Sequence, residues 1–287
     1  MNLDTSMKWN LAHREQSFGS RICHACSAVH FLDEAFMRTV TELGESFAWH
    51  RKVWEFATIA EIGRNAKTSF GLNCDAIALG FGVGREPLSS FFASLGYVVV
   101  ATDQPEATAA EWAKSNEYSA NLEDLWKDSV IDEATFSSQV SFRAVDMNNL
   151  PNDLPLNHLM WSSCVIEHLG GLNEVLEFFR SSAKLLLPGG TMIHTTELEL
   201  LSKSKMSDYG NCAVFRPEDL MQMFNVLIEE GLEVLYSFHV PCETYQDSHI
   251  STPPYSPDEP HLKLSLIDSI STSFAIVATR PKEIHAL

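Results

Sequence analysis

The sequence predicts an α/β fold: a mostly parallel sheet with helices on both faces, preceded by a helical N-terminal segment. Three observations carry that prediction. The run Ala76-Ile77-Ala78-Leu79-Gly80 reads as a buried strand that ends in Gly80, Gly82 and Gly84, with Pro87 opening a helix. Leu88, Phe91, Phe92 and Leu95 then recur at helical spacing until Gly96, after which Tyr97 to Ala101 forms a second apolar run. Short apolar runs and amphipathic helices keep alternating downstream, the pattern of parallel strands covered on both faces.

Taken in order, residues 1–30 lack clear periodicity and carry His13, Arg14, His24 and His30. From Phe31 to about Arg64 the pattern is helical, with Phe36, Val40, Leu43, Phe47, Trp54 and Ile62 at apolar positions. This predicts one or two helices packed ahead of the sheet, with Trp9, Trp49 and Trp54 filling the junction. The expected division is a helical cap over 1–64 and an α/β domain over 65–287. Strands are expected near 76–80, 97–102, 140–145, 158–163, 191–195, 232–239 and 273–279, seven in all. The polar, Trp-bearing segment 105–139 is expected to be partly helical. Asn173 can cap a helix bearing Val175, Phe178, Phe179, Ala183 and Leu186, which Pro188-Gly189-Gly190 should stop. A further amphipathic helix is expected over Leu220 to Glu230, begun by Arg216-Pro217-Glu218-Asp219 and ended by Gly231. The last two strands, joined by the long loop 241–262, are expected to form an antiparallel pair.

The 287-residue chain is long enough for one large α/β domain with an appendage, and its 45% hydrophobic and 20% charged content is that of a globular protein. Asp plus Glu number 38 against 20 Lys plus Arg, a net charge of −18, which disfavours nucleic acid and anionic membrane as partners. No apolar run reaches bilayer length and the N-terminus has no signal pattern, so a cytoplasmic location without membrane attachment is expected. Of the six cysteines, only Cys23-His24-Ala25-Cys26 has ligand-like spacing, with no second pair to complete a zinc site. Reduced thiols are the expectation.

The glycine loop is the informative motif. Glycines let backbone approach a ligand closely, and Asp103, just past the second strand, can accept bonds from ribose hydroxyls. Dinucleotide enzymes use G-x-G-x-x-G, but the sixth position here is Arg85 and the glycines run G-x-G-x-G. With the order of elements, this spacing resembles class I S-adenosylmethionine-dependent methyltransferases over about 70–280. The resemblance implies a Rossmann-like class I methyltransferase fold with a seven-stranded, mostly parallel sheet, and S-adenosyl-L-methionine as methyl donor. It implies that Gly80, Gly82 and Gly84 pass under the donor, that Asp103 holds its ribose and that Asp146 contacts its adenine amine. Met147 beside Asp146, and Ser163 at the end of the fourth strand, belong to the same implied donor site. Leu185-Leu186-Leu187-Pro188-Gly189-Gly190 matches the turn before the fifth strand.

His50-Arg51-Lys52-Val53-Trp54-Glu55, Gly84-Arg85-Glu86-Pro87, Glu167-His168-Leu169-Gly170 and His194-Thr195-Thr196-Glu197 are similar to a bacterial subgroup associated with glycan or secondary-metabolite genes. The chain departs from the wider pattern in three places. Ala78 stands where an acidic residue usually orients the methionine end, Phe81 where Cys is common, and Trp161 where many members have Asp.

Ligands of such sheets lie outside the carboxyl ends of the strands, which gathers Glu167, His168, His194 and Glu197 near the reacting methyl group. His168 is the expected base and His194 its alternative or the group that orients the acceptor. Glu167 is expected to hold that base or the donor's amino group. Glu86 can reach the methionine amine in place of what Ala78 lacks, or simply suit the first helical turn. The spacing of His168, His194, Glu197 and His239 demands no metal, and none is expected. Residues 1–64, loop 202–216 and loop 241–262 supply material to roof an acceptor pocket, with Tyr209 and Tyr255 as lining candidates. The expected activity is methyl transfer to a small-molecule acceptor, most simply an oxygen of a sugar or secondary metabolite. N- or carboxyl-methylation of a peptide or amine is the alternative within the class. An NAD-dependent oxidoreductase and a non-catalytic cofactor-binding subunit are the alternatives outside it. A homodimer is compatible with the sequence.

Overall fold

The computed structural model describes residues 15–70, 75–105, 119, 121–209 and 212–282. Trp9, His13 and Arg14 lie outside the described residues. A short strand β1 (His24–Ala25) and a 3-10 turn (Ala28–Leu32) lead into helix α1 (Glu34–Glu42) and the long helix α2 (Arg51–Phe70). The alternating core follows: β2 (Ile77–Phe81), α3 (Leu88–Ser94), β3 (Val98–Asp103), α4 (Glu133–Gln139), β4 (Val140–Ala144) and β5 (Asn157–Ser163). After a 3-10 turn at Ile166–His168 come α5 (Leu172–Ala183), β6 (Leu186–Glu199), the two-residue strands β7 (Ser207–Asp208) and β8 (Ala213–Val214), and α6 (Pro217–Glu229). A single turn of helix, α7 (Tyr245–Ser248), precedes β9 (Ile250–Ser251), β10 (Lys263–Leu266) and β11 (Ser269–Thr279).

The main sheet runs β4-β3-β2-β5-β6-β11-β10-β9, with β1 added on the free edge of β11, nine strands where seven were expected. Strands β2 to β6 are parallel, and β11 enters antiparallel between β6 and β10. This is a Rossmann-like sheet with its switch point between β2 and β5, where the chain, having built outward to β4, returns to the other side of β2. One buried core fills both faces. Trp161 of β5 packs on Phe92 of α3, while Phe81 of β2 packs on Phe178 of α5, so the two helical layers lie on opposite faces. Helix α2 sits close to α3: a Cβ on Gly63 would stand 2.4 Å from the Phe92 ring.

Two expectations fail at the C-terminal end. Residues 232–239 do not form a regular strand, because the N-terminal segment takes part of that edge. Glu233 bridges to Thr279, but Cys23 then bonds to the 235–237 backbone while β1 pairs with Phe274 and Ala275. The antiparallel hairpin is instead β10–β11, closed by the tight turn Ile267-Asp268. The expected long loop 241–262 holds α7 and β9. The Pro188-Gly189-Gly190 stop is also displaced, since α5 ends at Ala183 and the motif lies within β6 as an irregularity of register against β5.

The N-terminal segment is fixed by a buried polar cluster. Trp54 Nε1 donates to His30 Nδ1 at 2.8 Å, and His30 Nε2 donates to the Gln16 carbonyl at 2.7 Å. His24 donates through Nδ1 to the Ile22 carbonyl at 2.6 Å and stacks edge-on against both rings. Burial, with His30 adding to it, pushes His24 down to about 3, and burial also lowers His30. Buried His194 falls to about 3 for the same reason. Neutral in the fold and protonated in the unfolded chain, His24 and His194 contribute stability that is present above pH 6.5 and lost as pH falls toward 3. Unfolding free energy is expected to drop by about 1.4 kcal/mol per pH unit for each such histidine across that window. Urea unfolding at successive pH values checks this, and His24→Phe should flatten the slope.

Candidate functional site

The parallel strands β2, β3, β5 and β6 end at one edge of the sheet, and a cavity of about 580 Å³ opens there, within the usual range for small-molecule sites. Its floor is the glycine loop. A Cβ on Gly80 would stand 2.4 Å from the Trp161 indole and one on Gly82 2.5 Å from Val165, so neither position accepts a larger residue. Gly82 and Gly84 have φ of 56° and 49°, a backbone that favours glycine. The loop turns because Asp103, at the end of β3, draws it in. Its Oδ2 accepts from Gly84 N at 3.0 Å and Ser119 N at 3.4 Å, and its Oδ1 from Gln104 N at 2.8 Å. Burial raises the Asp103 carboxyl against the pull of those three amides.

Glu86 stands at the start of α3 and reaches back under the loop. Trp161 Nε1 donates to its Oε1 at 2.7 Å. Full burial, with Asp103 and Glu55 nearby, outweighs that bond and the pull of Lys52, and pushes the carboxyl up to about 8. Asp146 and Met147 line the cavity beside β4, and Asp146 Oδ1 accepts from Asn148 N at 2.9 Å. Gly82, Gly84, Glu86, Asp103, Asp146, Met147 and Ser163 therefore share one cavity wall, while Gly80 lies beneath it.

The opposite wall comes from the start of α2, part of the segment 1–64 expected to roof the pocket, although no single side chain there was assigned a role from the sequence. Arg51 pairs with Glu197 of β6, and Lys52 Nζ pairs with Glu55 at 2.7 Å. Glu55 is fully buried and accepts from Ser163 Oγ at 3.2 Å and Ser273 Oγ at 2.5 Å. Burial opposes its charge, but Lys52 and Arg51 hold it down at about 2. Glu197 accepts a second bond from Ser271 at 2.7 Å. A sequence signal existed, the grouping of Arg51, Lys52 and Glu55 at one helix start, yet nothing local shows that it faces strand ends.

Of the candidate catalytic residues, His168 and Glu167 line the cavity and His194 does not. On β6, Glu197 faces α2 and the cavity, so His194, an odd number of residues away, faces the other side. There its Nδ1 meets Ser162 Oγ at 2.8 Å, its ring packs on Phe178 and Phe179, and it is fully buried. The acceptor-side role expected of His194 is corrected accordingly: it is a core residue. Cys164, also on the wall, adopts φ of 52° at the end of β5, held by bonds from its N–H to Thr195 O and Oγ1. Cys164, Glu167 and Glu197 bring ligand atoms within 4.8 Å of one another. The roof is furnished by α2, by Cys212 and by Leu266 at the β10–β11 turn, not by the loop 241–262. That loop is tied to α2 outside the cavity, through backbone bonds of His261 to Trp49 and Arg51 and stacking of His50 on His261 at 4.7 Å. Tyr209 and Tyr255 bond to the β10–β11 hairpin and do not line the cavity.

No family model and no curated protein matches this chain. Among solved structures it is similar to the CcbJ methyltransferase from Streptomyces caelestis, at 14% identity and a TM-score of 0.45, over 86% of this chain and 98% of that one. It is similar to an S-adenosylmethionine-dependent methyltransferase from Clostridium acetobutylicum, at 10% identity and a TM-score of 0.42, over 76% and 90%. An O-methyltransferase family protein from Burkholderia thailandensis matches at 10% identity and a TM-score of 0.43, over 88% and 70%. The fold is read from the strand order itself. Among the described residues no helix is long and apolar enough to cross a membrane.

Glu86 gives this wall a pH signature. Its folded-state pKa of about 8 exceeds the unfolded value, so it contributes stability that is present at low pH and lost as pH rises from about 4.5 to 8. Glu86→Gln keeps the bond from Trp161 and removes the titration. The variant is expected to lose less stability than the parent over that range, read as unfolding free energy at a series of pH values.

Proposed function

We propose that this chain is an S-adenosylmethionine-dependent methyltransferase acting on a small molecule. The observation that carries the reading is the joint placement of Asp103, Glu86 and the open-backboned glycine loop on one wall of a cavity at the sheet's switch point. The residues fit the donor. A Cβ at Gly80 or Gly82 would fill the cradle, Asp103 keeps lone pairs free of its three amide bonds, and Glu86 is a buried carboxyl with one neutral donor. Asp103 would hold the ribose, Asp146 and Met147 the adenine, and Glu86 the methionine ammonium. When bound, the donor supplies an activated methyl group, so the protein's task is to place an acceptor in line and accept its proton. His168 is the imidazole on that wall and takes the proton role. The helical N-terminal part, 1–64, acts as a cap that supplies the acceptor-side wall through α2.

The acceptor is a small metabolite, and the subgroup resemblance makes a sugar or secondary metabolite the natural class. The reading admits an oxygen or an amine as the acceptor atom. Negative charge argues against nucleic acid, and a cytoplasmic setting and a homodimer remain part of the proposal.

S-adenosylhomocysteine is expected to bind with micromolar affinity and NAD not to bind. Asp103→Ala should weaken the former by about 1–3 kcal/mol, the loss of a charge-assisted bond. Unchanged affinity in calorimetry would remove Asp103 from the ribose site. His168→Ala should lower turnover by about 10²–10⁴-fold with donor affinity intact. His194→Ala should instead cost about 2–5 kcal/mol of stability as a core cavity, with turnover preserved in the folded fraction.

A further inference from the structure

We infer that the acceptor is an amine and that Glu167 Oε1 is the group that meets its nitrogen. The inference rests on the methyl-transfer reading and assigns its substrate class. Glu167 sits on the 3-10 turn after β5, is 2% exposed, and lines the cavity. Its Oε2 accepts from Thr196 Oγ1 at 3.0 Å, and among the described residues no donor reaches Oε1. Of the other buried carboxyls around it, Glu86, bonded by the Trp161 indole alone, is the group assigned to the donor's ammonium, and the rest are matched. Glu55 has Lys52 and two hydroxyls, Glu197 has Arg51 and Ser271, and Asp103 has three amides. Glu167 is thus a cavity-lining carboxylate with one oxygen unbonded and, among the described residues, no cation paired to it. A buried carboxylate in that state is costly until a cationic ligand joins it.

A metal ion fits poorly. Of the two further ligand groups within 4.8 Å, Glu197 already carries Arg51, and the Cys164 thiol is held protonated by burial and by the charges of Glu55 and Glu167. An organic cation needs neither group to be free.

The chemistry separates nitrogen from oxygen. With an oxygen acceptor, the hydroxyl proton and its charge pass to His168 and the reacting atoms end neutral, so a fixed carboxylate beside them would stabilise the ground state more than the transition state. With nitrogen, the charge persists and moves. An ammonium acceptor first gives one proton to His168. The nitrogen lone pair then bonds to the methyl carbon as the carbon–sulfur bond breaks and its electron pair stays on sulfur. The positive charge ends on the methylated nitrogen, where Glu167 stands preorganised to receive it.

The test has two readouts on the full chain. Calorimetry measures S-adenosylmethionine and S-adenosylhomocysteine binding to the parent and to Glu167→Gln. Release of S-adenosylhomocysteine is then followed with glucosamine, tyramine and putrescine, each beside its N-acetylated and its hydroxyl counterpart. The expected result is transfer confined to amines, lowered about 10²–10³-fold by Glu167→Gln, with both donor-site ligands binding the variant as they bind the parent. Loss of S-adenosylmethionine affinity alone would assign Glu167 to the sulfonium, and loss of both affinities to the donor's ammonium. Either outcome overturns the inference, as does transfer to a neutral counterpart, a panel with no amine methylated, or activity abolished by a chelator and restored by metal. Failure of S-adenosylhomocysteine to bind the parent is the separate result that overturns the methyl-transfer reading itself.

Discussion

The carboxylate of Glu55 is the interaction on which the site depends. From the second turn of α2 it binds Lys52 on its own helix, Ser163 at the end of β5 and Ser273 in β11. One side chain so fixes the helix against two strands that are far apart in sequence. Glu55 is fully buried while Lys52 is partly exposed, and removing Lys52 would leave a buried charge uncompensated, so the helix start is not free to drift. With Glu55 in place, Arg51 falls opposite Glu197, and Lys52 and Phe56 form the wall that faces the glycine loop. The N-terminal helix is therefore both structural buttress and half of the site.

Trp161 plays the corresponding part beneath the loop. Its indole fills the space over Gly80, leaving room for no Cβ there, and its N–H fixes Glu86. An acidic residue at position 78 would point into this packed interior, where Ala78 is fully buried. The large ring at 161, the small residue at 78 and the carboxyl at 86 form a compensated set. The acid lost from the strand is replaced by one that arrives from the helix start, and the same burial that holds Glu86 in place keeps it protonated near neutrality.

How much of this was legible in the sequence divides by range. The β2–α3–β3 unit, Asp103 and the amphipathic helices were readable because glycine spacing, Pro87 and period-3.6 patterns are local signals. The β10–β11 hairpin was not, since Leu266-Ile267-Asp268-Ser269 lacks the Gly or Asn that announces a tight turn, and Ile267 takes φ of 51° without one. The run 232–239 had strand composition, but whether it pairs depends on β1, more than two hundred residues earlier, occupying the same edge. At the site, His194 and Glu197 looked equivalent in the motif His194-Thr195-Thr196-Glu197. Strand alternation sends them to opposite faces, and which face is the cavity is decided by where α2 docks.

Charge in the cavity follows from the same docking. Arg51 and Lys52 are spent on Glu197 and Glu55, so neither cation can collapse onto a ligand, and the ordering of these long side chains is completed when the chain folds. Cys164 is held at φ of 52° beside them, a conformation costing on the order of 1–3 kcal/mol that the two bonds from its N–H to Thr195 sustain. Folding thus fixes Arg51, Lys52, Glu55 and Glu197 at the strand ends before any ligand arrives. That rigidity is what gives Glu167 meaning. In a site where side chains could rearrange, an unmatched carboxylate oxygen would find a lysine. Here the nearby cations are already held by other carboxylates, and the charge that completes the site must come from outside the chain.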